Sequence, residues 1–444
     1  MKPAPAWGGL RVWLAAAMLA YVWRVQDLFP ALAAVKPVLV ATAAVLALAV
    51  LDPGVAVRGN ALLTRAPAQC ALAVGALAIA SVPASLYPGL SLTVALKDAL
   101  PAIALMMVIG ASVRAPADAA RLAGVQVLGA ALYAAVILVR FDVGPDGRLG
   151  DLVYYDANDL GMFMACALPL ADWLLRNGRH AAARAVAAVA IVLFMLAIVK
   201  SGSRGAFLGV IAVVAYGLFA YRSVSVSRRV AVAAALGVVL IAAAGRSYWQ
   251  SMHTLLDPTS DYNWVGNEEG GRMSVWRRGL GYMAGHPLTG VGIGAFPIAE
   301  GTLSPLASRQ AYGVGLKWSA AHNSFVQAGA ELGVVGLAAF VGMIAAGVAA
   351  SRRSVAGARR HGDASSAALA DALGASLTGY AVSGFFLSQA YAPFLYAQLG
   401  LVLGLAALYD RRRAAVTVAP HARRALAAGR PAPALEWGST HDAR

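Results

Sequence analysis

The chain has 444 residues, of which 60% are hydrophobic and only 13% charged, well below the roughly 25% charged share of soluble domains. That composition excludes a water-soluble globular enzyme and describes a polytopic membrane protein. The formal charge of +15 would fit a nucleic-acid binder if it were gathered on one face, but it is spread over many short loops, so no nucleic-acid partner is expected. Cys70 and Cys166 each lie within an apolar run, where a thiol acts as a small hydrophobe, and imply no disulfide framework.

A helix of roughly 20 apolar residues crosses about 30 Å of hydrocarbon. In chain order, twelve runs approach that length: 7–25, 35–51, 68–86, 92–113, 122–139, 158–175, 182–199, 204–221, 230–244, 323–350, 366–387 and 392–408. The first lacks the small-residue cleavage site of a signal peptide and is read as a span. The expected fold is therefore an all-α polytopic membrane protein with about twelve transmembrane helices and one large polar loop. Residues 1–245 carry helices 1–9, 246–321 form the loop, 322–410 carry helices 10–12, and 411–444 are an Ala/Arg/Pro-rich tail that reads as disordered. No internal repeat of 20–50 residues is evident, which weakens the alternative of a small-anion transporter built from paired halves.

Arginine placement sets the orientation. Arg58 and Arg65, Arg114 and Arg121, Arg176, Arg179 and Arg184, Arg222, Arg228 and Arg229, Arg352, Arg353, Arg359 and Arg360, and finally Arg411, Arg412 and Arg413 fall in alternate connections. Those connections are expected on the cytoplasmic side. The 246–321 loop is then expected outside, in a bacterial periplasm, with the tail cytoplasmic.

The chemistry-bearing residues gather at the outer ends of the expected helices. In Ser201-Gly202-Ser203-Arg204-Gly205, Ser203 is placed to cap the eighth span, putting Arg204 in its first turn, where the helix dipole disfavours a cation unless an anion is also present. Free backbone N–H groups there, with Arg204 and Lys200, make a phosphate site; the alternative is an arginine reaching to the lipid interface. Arg272 follows Gly270-Gly271 and opens a segment in which Met273, Trp276, Leu280 and Met283 recur at helical spacing, an amphipathic helix lying on the membrane or roofing a cavity. Arg272 either binds a ligand or pairs with Glu268 or Glu269.

His322 stands at the mouth of the tenth span beside Asn323. It is either a general base, as a group titrating near neutrality can be, or a structural hydrogen-bonder. Glu331 lies deeper in the same span and needs a partner or a proton; it is either functional, as an intramembrane carboxylate can be, or part of a helix-packing seam with Gly329, Gly333 and Gly336. Lys97-Asp98, at the outer end of the fourth span, either adds charge to the same cavity or pairs locally. Asp156-Ala157-Asn158-Asp159 reads as a helix cap. No histidine or cysteine spacing fits a metal site, so neither metal nor cofactor is expected.

Together Ser203-Arg204-Gly205, the series Arg272, Trp276, His286-Pro287-Leu288, Gly290-Val291-Gly292, the pair His322-Asn323 with Glu331, Gly333 and Gly336-Leu337, and Asp156-Ala157-Asn158-Asp159-Leu160 resemble the O-antigen ligase and polymerase family. The resemblance covers about residues 156–337. It implies a C-type membrane glycosyltransferase fold and an inverting, metal-independent transfer of polysaccharide from an undecaprenyl-diphosphate-linked donor to a sugar hydroxyl of a lipid A-core acceptor. It also implies that Arg204 and Arg272 grip the diphosphate and His322 acts on the acceptor hydroxyl, with Lys200, Ser203, Asn323, Lys97 and Trp276 as further substrate-binding candidates. Within the family, a polymerase or a protein O-oligosaccharyltransferase would share the chemistry and differ in the acceptor.

Overall fold

The computed structural model describes residues 8–144, 148–150, 152, 155–221, 224–257, 271–307 and 319–427, which form helices and turns with no strand among them. All twelve apolar runs are helical: α1 (Gly9–Val22), α2 (Pro37–Leu51), α4 (Ala66–Ala80), α5 (Pro88–Ser112), α6 (Pro116–Arg140), α7 (Ala157–Asn177), α8 (Ala181–Ser201), α9 (Arg204–Ala220), α10 (Val226–Ala243), α14 (Ser324–Arg360), α15 (Ala364–Gly384) and α16 (Pro393–Ala427). Between them lie α3 (Pro53–Leu62), α11 (Arg246–His253), α12 (Arg272–Gly285) and α13 (Phe296–Thr302). The chain is an all-α polytopic membrane protein.

Six of these helices are each long and apolar enough to cross a bilayer, or seven if α2 and α3, bent by 95° at Asp52, make one span. Length and apolarity alone do not decide the remaining helices. Helices α1, α4 and α9 are apolar but short. Helices α7 and α15 are long, but α7 carries Asp159 and Asp172 and α15 carries Asp371 and several hydroxyls, and both are buried along most of their length. A helix surrounded by other helices need not be as apolar as one facing lipid.

One end of the bundle collects the arginine-bearing connections. Arg65 pairs with Asp410 at 2.8 Å, Arg11 with Asp118 at 3.2 Å, and Arg114 with Asp52. Arg58 Nε donates to the Ala111 carbonyl at 2.6 Å. Arg58 lies on α3, a segment expected to be a loop; Asp52 starts it by accepting from the N–H groups of Gly54 and Val55.

At the opposite end α14 is broken. Gly333 has φ +75° and ψ −173°, which interrupts the helical ladder and strands backbone groups on both sides of the break. The segment 286–292 satisfies them. Val291 N–H donates to the Ala330 carbonyl at 2.8 Å, Gly292 N–H to that of Glu331 at 3.2 Å, and Val334 N–H to that of Pro287 at 2.8 Å. Backbone meets backbone so closely that a Cβ on Gly290, at φ +63°, would lie 2.2 Å from the Glu331 carbonyl carbon. Glu331 itself is buried; Phe296 N–H approaches its Oε1 at 3.4 Å.

Helix α12 rests on this docked segment, turned from the expected face. Val275, Trp276, Gly279 and Tyr282 are buried, whereas Met273 and Leu280 are exposed. Polar anchors decide the rotation. Trp276 Nε1 donates to the Ala321 carbonyl at 3.0 Å, and the Tyr282 hydroxyl donates to Glu300 Oε1 at 2.7 Å. Gly279 lets Phe296 and Val326 approach where a Cβ would stand 2.5 Å from Val326.

Candidate anion-binding site

The Ser201–Gly205 corner joins two helices and builds one wall of a cavity. Helix α8 ends at Ser201, and Gly202, at φ +58°, turns the chain through the left-handed region with its N–H on the Val199 carbonyl at 3.1 Å. Ser203 then caps α9, its Oγ accepting from Ala206 N–H at 3.2 Å. Arg204 is therefore the first residue of the helix, beside N–H groups that no intrahelical carbonyl satisfies. Its Nη1 donates to Thr254 Oγ1 at 2.7 Å, just beyond α11.

A small cavity of about 50 Å³ lies between Arg148, Asn158, Ser203, Arg204, Ser251 and Arg272, with Phe386 and Leu387 on one side. Arg272 reaches it from the start of α12, on a chain segment remote from Arg204. Arg148 comes from the 141–155 loop: its Nε donates to the Ser201 carbonyl at 2.9 Å and its Nη2 to Asn158 Oδ1 at 2.9 Å. Asn158 is held by the cap of α7, where Asp156 Oδ1 accepts from the N–H groups of Asn158 at 2.7 Å and Asp159 at 2.8 Å. Three guanidinium groups, a helix N-terminus and two hydroxyls converge, and no carboxylate is among the described lining residues. Such an array suits a polyanion with closely spaced oxygens.

His322 lies beside this cavity without lining it. Its backbone is left-handed, φ +47°, and its N–H donates to Ser388 Oγ at 2.7 Å. Ser324 Oγ bonds the Leu387 carbonyl at 2.7 Å, so the chain turn that carries His322 is fixed to the residues forming the cavity's apolar side. A non-glycine residue in this conformation costs energy, and the surrounding bonds hold it there.

Of the other candidates, Ser203 lines the cavity and is committed to its helix cap. Asn323 is buried and caps α14, its Oδ1 accepting from Phe325 N–H at 2.9 Å and Val326 N–H at 3.0 Å. Trp276 packs edge-on against Phe385, with ring centroids 5.1 Å apart, and lies 6.5 Å from the ring of Phe386, a cavity residue; it supports the wall from behind. Lys200 is exposed outside the cavity, its carbonyl accepting from Leu149 N–H at 2.9 Å. Lys97 is exposed in the π-helical turn Ala95–Ala99 of α5, away from the cavity lining. The suggested pairing of Arg272 with Glu268 or Glu269 lies outside the described residues. Sequence reasoning missed Arg148, whose backbone partner Ser201 stands 53 residues along the chain, and it took Asn158 for part of a cap alone.

A second polar group braces the outer helices. Arg278 Nε donates to Glu300 Oε1 at 2.9 Å, and that hydrogen bond pushes the Arg278 pKa up despite partial burial. Burial first, then the bond to Glu300, pushes the Tyr282 hydroxyl up as well. This triad ties α12 to α13. Among the described residues, no three His, Cys, Asp or Glu side chains are grouped to hold a metal ion.

Residues 163–341, about two fifths of the chain, match the family described as O-antigen ligase. Its members are glycosyltransferase-like enzymes that act on lipid-linked polysaccharide. The matched stretch contains Arg204, Arg272 and His322; Arg148 and Asn158 lie before it. No curated protein matches the chain.

Proposed function

We propose that this protein is an O-antigen ligase of the bacterial inner membrane. In this reading it has twelve spans in a C-type glycosyltransferase fold, and its 246–321 loop and cavity face the periplasm. The donor is a polysaccharide on undecaprenyl diphosphate, and the acceptor is a sugar hydroxyl of lipid A core. The observation that carries the reading is the convergence of Arg204 and Arg272, from separate helix starts, on one polar cavity. Guanidinium forks and helix N–H groups bind the diphosphate and stabilise it as a leaving group, a task for fixed charges rather than a covalent catalyst. His322, anchored through Ser388 beside the cavity, takes the proton of the acceptor hydroxyl. Attack at the anomeric carbon from the face opposite the diphosphate inverts its configuration, with no metal required in the step.

Binding of a fluorescent polyprenyl diphosphate to the purified protein tests the diphosphate role. A charge-assisted contact contributes about 1.5–3 kcal/mol, so Arg204→Ala and Arg272→Ala should each weaken binding by about tenfold or more. Unchanged affinity in both variants would remove the cavity from the donor site.

A further inference from the structure

We propose that the end of the bundle away from the anion-binding cavity holds a phospholipid, with its anionic headgroup against Arg58 and Arg411 and its acyl chains along α2 and α3. Helix α6, 25 residues from Pro116 to Arg140 and so about 37 Å long, separates this end from the loop that carries Arg148. Arg11, Arg58, Arg65, Arg114 and Arg411 gather there: Arg58 feels Arg114, Arg411 and Arg11 as like charges, and Arg411 feels Arg65. Three aspartates answer them. Arg11 pairs with Asp118 at 3.2 Å, Arg65 with Asp410 at 2.8 Å, and Arg114 with Asp52. Among the described residues, neither Arg58 nor Arg411 forms an ion pair.

Both surplus cations bond backbone carbonyls instead. Arg58 Nε donates to the Ala111 carbonyl at 2.6 Å, and Arg411 Nη2 to that of Val113 at 3.3 Å. These carbonyls end α5, whose C-terminal dipole is equivalent to about half a negative charge, well short of two positive ones. Among the described residues, Arg58 Nη2 is also buried with no hydrogen-bond partner, and a desolvated charge without an opposite one is costly. A phosphate group supplies the missing charge and presents oxygens that match guanidinium forks. Arg411 is exposed at the end of α16 and Arg114 is half-exposed, so the cluster is open to it.

The neighbouring apolar surface makes that phosphate a lipid's. Helix α3 leaves α2 at 95°, so with α2 crossing the bilayer it lies along the surface, as an interfacial helix does. Val55 and Leu62 bury its inner face, Leu62 packing on Gly110 of α5. On the outside, Val57 of α3 and Leu51, Val50 and Leu46 of α2 are all exposed. An apolar wall thus starts beside Arg58 and continues along α2. A soluble phosphate would meet the cations and leave this wall bare. A phospholipid matches both, and basic pockets between helices at a membrane surface suit its headgroup.

Lipid titration of the purified, delipidated full-length protein, read by native mass spectrometry, tests the site independently of any glycan transfer. The probes are dioleoyl phosphatidylglycerol, dioleoyl phosphatidylcholine and glycerol 3-phosphate. Phosphatidylglycerol should bind about tenfold or more tightly than phosphatidylcholine, which has the same chains and no net charge. Glycerol 3-phosphate, an anionic headgroup without chains, should not displace it. Arg58→Gln and Arg411→Gln should each weaken phosphatidylglycerol binding about fivefold, and together about 25-fold, with phosphatidylcholine unaffected. The control is Arg353→Gln with Arg360→Gln. Both residues are exposed on α14 at the same end of the bundle, where the Tyr409 hydroxyl donates to Asp363 Oδ2 at 2.7 Å, and the control should bind as the wild type does. Equal affinity for the two lipids would overturn the proposal. So would equal weakening in the control, which would mean attraction to diffuse surface charge, and so would displacement by glycerol 3-phosphate, which would mean a soluble phosphate. If Arg58→Gln does not fold, Arg411→Gln measured against the control decides the matter.

Discussion

Substituting Gly202 with alanine tests how the corner between α8 and α9 builds the site. Gly202 sits at φ +58°, where an L-residue costs about 1–2 kcal/mol relative to glycine. The added Cβ would also stand 2.7, 3.0 and 3.1 Å from Arg148 Cγ, Cδ and Nε, against a comfortable carbon separation of about 3.5–4.0 Å. The Arg148 stem would have to move, stretching its 2.9 Å bonds to Ser201 and Asn158, and hydrogen bonds to a charged group are worth about 1.5–3 kcal/mol each. Only the backbone part should survive when Arg148 is also alanine, since the clash has gone. Equilibrium unfolding in detergent of the wild type, both single variants and the double variant should therefore show a coupling of about 1–3 kcal/mol between the two positions. Additive stabilities within about 0.5 kcal/mol would refute the idea that the glycine exists to seat the arginine.

If the His322 imidazole is the base, His322→Ala should lose about 10²–10⁴ in transfer rate while binding polyprenyl diphosphate normally; a well-folded variant with a near wild-type rate would leave the residue a purely structural role. His322→Gly, which relieves the left-handed backbone, should be more stable than His322→Ala and equally inactive. For topology, single cysteines at Thr302 and Ser365, both exposed, should differ in a protein lacking Cys70 and Cys166: an impermeant thiol reagent added to intact cells should label the first only. Labelling of the second alone would invert the assigned orientation.

The apolar runs were legible because lipid demands them, and each became a helix. Length and apolarity alone mark only some of these helices as spans, because α7 and α15 are shielded by other helices and α2 bends sharply into α3. Gly333 illustrates the deeper limit. In sequence it reads as a packing glycine within a helix; in the fold it is a break whose backbone partners come from residues 287–292, a non-local pairing with no local periodicity to announce it. The stripe Met273, Trp276, Leu280 and Met283 predicted an amphipathic helix, yet the hydrogen bonds of Trp276 and Tyr282 turned that helix to bury Val275 and Gly279 instead. Ser203 and Arg204 were readable from capping logic and dipole conflict. Arg148 was not, since its place is set by Ser201 and Gly202, which only the fold brings beside it.

The central claim is glycan transfer from a lipid diphosphate, and reconstitution measures it most directly. Purified protein in vesicles, given undecaprenyl-diphosphate-linked polysaccharide and lipid A core in the presence of EDTA, should form glycan-bearing lipid A core and release undecaprenyl diphosphate, with the anomeric configuration inverted. Arg272→Ala protein should form little of either product. No transfer to lipid A core, with the donor instead extended by a second lipid-linked repeat or passed to a protein hydroxyl, would contradict the ligase assignment.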